Sequence, residues 1–319
     1  MSEMTSTQRQ MLALCSLVSA GDRCDWGVLA RQAYRERSLD GLVAGDILET
    51  SANAQRTSWV IKIASAESWA AAWERADSEY RAATAAGARL TTVLDDDFPL
   101  NLRLIHNLPP FLFYRGSLDI NRDAHSVAVV GTRSATPDGI RQTCRVVQAL
   151  TQRGLTVTSG LAIGIDAAAH RETLERHSRT IAVLPSGITR IAPAANRELG
   201  EGIVAAGGLL VSQFFPTATP ARWTFGKRNE VTSGISQGTV VIEASHTSGA
   251  RMQARLAYEH GKQVFLLDTL VAEQSWAQQM VQQRRAIAAS CIKEITERIV
   301  SPDRVRDVSD LLHVEPALL

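Results

Sequence analysis

Long apolar runs are missing from this sequence of 319 residues. None approaches the roughly 20 residues that span a bilayer, and the N-terminus lacks the basic-then-apolar pattern of a secretory signal. A cytoplasmic protein without membrane association is expected. Cysteine is scarce: Cys15, Cys24, Cys144 and Cys291 are scattered, with no CxxC pair. That spacing supplies neither a disulfide framework nor a zinc site, and reduced thiols are expected. A strong excess of one charge is also lacking, since the net charge is +1. Of 34 Lys/Arg and 33 Asp/Glu, however, 15 and 10 lie between Ser126 and Asp268, so the middle is +5 and the flanks −4. This permits a polyanion partner without demanding one.

Cofactor fingerprints are absent too. No GxGxxG follows the first strand of the α/β region, no acidic residue ends its second strand to hold a ribose, and there is no GxxxxGK[ST] loop. No Ser–His–Asp spacing, metal-ligand cluster or paired-carboxylate motif is evident. The chain is therefore expected to use no cofactor, hold no metal and catalyse no reaction.

What is present is organised in four parts. Residues 1–86 lack strand-like runs and read as a small helical domain. MTSTQRQMLALCSLV and SWAAAWERADSEYRAATAAGA place apolar residues at helical spacing, and Gly87 stops the second. Trp59, Trp69 and Trp73 read as packing residues. Residues 87–124 form a lead-in with two short strands, LTTVL and FLFYRG, separated by Pro109-Pro110, which rules out helix there. Residues 125–270 alternate apolar runs (SVAVVG, LTVTSG, TIAVLPSG, LLVSQF, TVVIEAS, QVFLLD) with amphipathic helices. Thr136-Pro137 is a helix start, and a short helix is expected around Lys227 to Ser236. The alternation predicts a Rossmann-like, doubly wound, mainly parallel sheet covered on both faces. QVFLLD is expected to close the sheet. Residues 271–319 read as a tail, helical to about Ile299 and then short and polar.

In such sheets ligands bind beyond the carboxyl ends of the strands. GTRSATPDG, SGLAIGID, PSGITRIAPAANR and ASHTSGARMQAR follow strands, and FGKRNEVTSGIS precedes one. Glycines where a strand meets a helix suggest anion binding by backbone amides. Arg133 reads as a phosphate contact or a surface ion pair, and Arg255 as a contact or a structural pair. Lys227, Arg228 and Asn229 form a compact polar cluster. Asp166 reads as a structural cap at a helix start rather than a catalytic acid, and His170 as a packing histidine.

These segments together resemble the DprA/Smf family, the DNA-processing proteins of bacterial transformation. SVAVVGTRSATPDG is similar to the family's glycine–serine/threonine–arginine block, and SGLAIGIDAAAH to SGLAxGIDxxAH. TIAVLPSG with Pro193 and Asn196, FGKRN (for FPxRN) and SGARMQAR (for SGSLxTAR) resemble the later blocks. The likeness runs from roughly Ala76 to Leu267. It implies a Rossmann-like core that binds single-stranded DNA, acts as a homodimer and brings a RecA-type recombinase onto that DNA. By position it implies contacts or supports at Gly131, Thr132 and Arg133; at Ser159, Gly160, Leu161, Ala162 and Gly164; at Lys227, Arg228 and Asn229; and at Ser248, Gly249 and Arg255. Gly226, Glu230, Ala250 to Gln253 and Asp268-Thr269 depart from the family pattern, and Glu230 in place of an arginine is expected to weaken the basic surface. Two other readings remain open. One is a nucleotide hydrolase or sensor related to phosphoribohydrolases, whose PGGxGTxxE motif is absent, with Glu243 expected inside a strand. The other is an interaction scaffold.

Overall fold

Valines crowd the first core strand because it is covered twice. The computed structural model describes residues 3–19 and 25–299. It contains one nine-stranded sheet: β1 (Arg89–Thr92), β2 (Phe111–Gly116), β3 (Ser126–Val130), β4 (Thr156–Ser159), β5 (Thr180–Val183), β6 (Leu209–Ser212), β7 (Gly238–Val241), β8 (Gln263–Leu267) and β9 (Ile287–Ala289). The order across it is β1-β2-β6-β5-β4-β3-β7-β8-β9. Strands β3 to β9 pair in parallel, while β1–β2 and β2–β6 pair antiparallel. In β3 the side chains alternate. Val127 and Val129 join one apolar cluster, Ala128 and Val130 another.

Five helices precede the sheet: α1 (Ser6–Ser19), α2 (Trp26–Glu36), α3 (Asp40–Val43), α4 (Ala52–Lys62) and α5 (Ala66–Ala85). The short α6 (Ile120–Ala124) leads into β3. Then α7 (Pro137–Gln152), α8 (Ile165–Glu175), α9 (Arg197–Ala205), α10 (Arg222–Ile235) and α11 (Gly249–Glu259) connect the core strands. Residues after β8 form α12 (Asp268–Glu273), α13 (Ser275–Gln282) and α14 (Ile292–Arg298). Apolar residues of α7, α8 and α14 pack on the Val127–Val129 side, and those of α11 and α13 on the Ala128–Val130 side. Thr136 caps α7 by accepting from Gly139 N, with Pro137 in the first turn. It satisfies one of the N–H groups that a helix start leaves unpaired.

Four expectations change. QVFLLD does not close the sheet, because β9 adds a parallel strand in the region read as wholly helical. The helix around Lys227 begins earlier, at Arg222. Glu243 lies beyond the end of β7 rather than within it. Trp69 and Trp73 do pack side by side, 6.2 Å apart, but Trp59 is exposed, with the Arg56 guanidinium over its ring. The last polar stretch and Cys24 lie outside the described residues.

Candidate functional site

The strand order reverses at β3, which has β4 on one side and β7 on the other. The loops leaving β3, β4 and β7 meet there, the usual place for a ligand in an open α/β sheet. With the exposed side of α10 they enclose a cleft of about 650 Å³.

After β3 the chain must pass between α8 and the end of β7. A Cβ at Gly131 would lie 2.5 Å from Ile165 Cγ1, so only glycine fits. Thr132 N donates to Glu243 O at 2.7 Å, and Thr132 O accepts from Ile165 N at 3.2 Å. This loop, fixed at both sides, sends Arg133 outward, where its guanidinium lies 5.0 Å from the centre of the Phe225 ring.

The glycine loop after β4 serves the protein's own packing more than a ligand. Ser159 is buried and donates to Val129 O, and Leu161 is buried with a positive φ of 58°. A Cβ on Gly160 would collide with the Arg228 guanidinium. Gly164 has φ +87°, and a Cβ there would strike the carbonyl oxygen of Thr132. The anion that meets this loop belongs to the chain itself, for Ala162 N donates to Asp166 Oδ2 at 3.3 Å. Burial raises the Asp166 pKa above the ordinary carboxyl value. The nearby charge of Arg228 and hydrogen bonds from Ala162, Ser159 and Gly160 oppose that rise. Asp166 ties down the preceding loop from the cleft wall; it is not the cap, since the cap position of α8 is Gly164, which makes no side-chain bond.

Helix α10 carries two working stripes. Arg222, Phe225, Arg228, Asn229 and Thr232 line the cleft, at the three- and four-residue spacing of one helix side. Arg228 is only 7 % exposed, and its Nη1 donates to the carbonyls of Gly160 and Val183. It braces the cleft wall from inside, whereas Arg222 and Arg133 are exposed. Lys227 points elsewhere and pairs with Glu230 at 3.2 Å. Because neither lines the cleft, the acidic departure at Glu230 leaves the cleft's charge unchanged.

Beyond β7, Ser248 caps α11 by accepting from Ala250 N. Ser248, Gly249, Ala250 and Gln253 complete the wall, so the departures at 250 and 253 do face the cleft. Arg255 does not; it is exposed and pairs with Glu259 at 3.5 Å. Of the residues singled out in the sequence, Gly131, Thr132, Arg133, Gly160, Ala162, Asp166, Arg228, Asn229, Ser248 and Gly249 come together. Ser159, Leu161, Gly164, Lys227 and Arg255 lie behind or away from the cleft. Sequence reasoning missed Arg222, Phe225, Ser245 and Thr247. The three- and four-residue spacing from Arg228 and Asn229 back to Phe225 and Arg222 was the signal for two of them.

Three other polar arrangements bear on chemistry. The Glu243 carboxylate accepts from Thr136 N at 3.0 Å and from the Thr136 hydroxyl, which holds it at the start of α7. His170 is fully buried, with Nδ1 2.7 Å from Thr180 Oγ1. Burial, aided by the Arg228 charge, pushes its pKa down to about 3. His260 bridges Ser233 Oγ at 2.9 Å and Asn107 Oδ1 at 2.8 Å. That connectivity resembles a hydrolytic triad, but Ser233 is fully buried inside α10 and no substrate carbonyl can reach it. Among the described residues no group of three His, Cys, Asp or Glu side chains could hold a metal ion, and no helix is long and apolar enough to cross a membrane.

A mainly parallel sheet with helices on both faces and a cleft at its switch point defines a Rossmann-like protein. Residues 89–300 match the model of the family described as DNA recombination-mediator protein A, and the chain belongs to that family. It is 43 % identical over 177 residues to Protein Smf of Synechocystis, a stretch covering 54 % of this chain and 44 % of that protein. It is 36 % identical over 176 residues to DNA processing protein DprA of Streptococcus pneumoniae, covering 55 % and 61 % of the two chains. The matched stretch thus spans about half the length of these relatives. The X-ray structure of the pneumococcal DprA aligns with a TM-score of 0.72 at 25 % identity, covering 94 % of this chain and 100 % of that one. The Helicobacter pylori DprA, whose structure is described as giving insight into a unique single-stranded DNA binding mode, aligns with a TM-score of 0.57 at 23 % identity, covering 70 % and 96 %.

Proposed function

We propose that this protein binds single-stranded DNA in the cleft between β3, β7 and α10 and acts there as a DNA-processing, recombination-mediating protein. The observation that carries the reading is the pairing of Arg133 with the Phe225 ring inside the cleft. The Arg133 guanidinium lies over one face of that ring; drawn onto a phosphate, it would leave the face to a base, and a cation beside an aromatic ring is the combination that single strands require. Arg222 adds a second exposed cation. Among the described residues, no element stands out as a recognition helix for a major groove. The finer reading is that the protein works as a cytoplasmic homodimer and brings a RecA-type recombinase onto the strand. It rests on the family likeness and is tested by sizing in solution and by recombinase-filament assembly on coated DNA.

The test of DNA binding is a titration of single-stranded and duplex oligonucleotides of equal length at matched salt. Tighter binding of the single strand is expected. Equal or tighter binding of the duplex overturns the reading. A nucleotide hydrolase is less well supported, since Asp166, the carboxylate that lines the cleft, is engaged by the loop before it, and Glu243, which lies outside the cleft, by Thr136.

A further inference from the structure

A second cavity, of about 560 Å³, lies on the other stripe of α10, between that helix and the start of α2. Trp223, Lys227 and Glu230 line it; spaced by four and three residues, they share one side of the helix. The opposite walls are aromatic. Trp26 meets Phe215 edge-on at 5.4 Å, and Phe214 meets Trp223 edge-on at 5.6 Å. Trp223 is 65 % exposed, the most of any large apolar side chain among the described residues. Two carboxylates and two cations are also in the lining: Glu230 pairs with Lys227 at 3.2 Å, Asp25 accepts from Gly27 N at 2.9 Å, and the Arg75 guanidinium lies 4.7 Å from the centre of the Phe215 ring.

We propose that this cavity takes a nucleobase of the same single strand whose phosphates run through the cleft. The inference rests on the DNA-binding reading above. Arg222 lines the cleft and Trp223 the cavity, and consecutive Cα atoms are only about 3.8 Å apart. A strand passing Arg222 therefore needs one turn across the start of α10 to bring a base onto the Trp223 ring. The volume falls within the roughly 300–1,000 Å³ of small-molecule pockets, mostly apolar with a few polar groups. The charges of the lining are balanced and already paired, so the aromatic rings are what a base would meet.

The experiment is a fluorescence-anisotropy titration at one salt concentration, using oligodeoxycytidylates of about four and about twelve nucleotides, lengths that bracket typical single-strand sites. The variants are Trp223→Ala, which removes the exposed ring, and Ala218→Trp, which fills the cavity from its rim. Each is expected to weaken binding of the longer strand by about tenfold, the scale of one lost stacking contact, and to leave the shorter one unchanged. Parental affinity of both Trp223→Ala and Ala218→Trp for the longer strand, or equal losses at both lengths, overturns the inference while leaving DNA binding in the cleft intact. Failure of the unaltered protein to bind either strand overturns the DNA-binding reading itself.

Discussion

A methyl group at position 160 would collide with the guanidinium of Arg228, and one at position 164 with the carbonyl oxygen of Thr132. The glycines of the SGLAIGID segment are therefore required by contacts within the protein. Gly164→Ala adds both overpacking and the strain of a side chain at positive φ. It should destabilise the fold by about 2–6 kcal/mol, each effect being about 1–3, while the protein that remains folded keeps its DNA affinity. Thermal melting together with binding measured well below the midpoint checks this; normal melting with lost binding would show that the glycine serves the ligand instead. Arg133 is the converse case, exposed and held by a fixed loop. Arg133→Ala should leave the melting curve unchanged and cost about 1–3 kcal/mol in single-strand affinity. It should also flatten the slope of log affinity against log salt by about 0.7. An unchanged dissociation constant would make this arginine a bystander.

At the scale of the element, α10 determines most of the site, and it was the least legible part of the sequence. The core strands could be read directly, because short runs such as SVAVV and TIAV are buried on both faces and carry no charge that would contradict them. Gly131 and Arg133 were legible from their place after the first core strand. Helix α10 was harder, because Gly226 interrupts its first half and a proline-rich loop hides its start. The inward turn of Arg228 depended on Gly160, 68 residues away in sequence. Strand β9 has only three residues and is recognisable only through its pairing with β8. Gly226 also gives a direct test of the helix. A Cβ there would meet nothing nearer than Met252 Sδ at 3.8 Å, so Gly226→Ala should stabilise the protein by roughly 0.5–1 kcal/mol. The melting midpoint should rise by roughly 1–3 °C; a fall would mean that the helix needs its flexibility there.

The whole molecule responds to pH through its buried histidines. Burial pushes His170 down to about 3 and His260 to about 4, from an ordinary 6.5. Both therefore take up protons more readily in the unfolded chain. Their stabilising contribution is complete above about pH 6.5 and is lost as the pH falls from there toward 4, at up to about 1.4 kcal/mol per pH unit for each histidine. Denaturation midpoints should drop steadily between pH 6.5 and 4.5, and the drop should be shallower in His170→Leu. Equal slopes in the two proteins would assign the pH response to other groups. The sheet order has a temporal consequence as well. Strand β3 pairs with β4 soon after it is made, but its other neighbour, β7, is synthesised about 110 residues later. At ribosomal speeds that delay is roughly 5–20 s. During it, one edge of β3 has unpaired backbone groups and half of the cleft does not yet exist. A chain still on the ribosome therefore cannot form the cleft until β7 has emerged and docked, by which time most of the sheet is already in place.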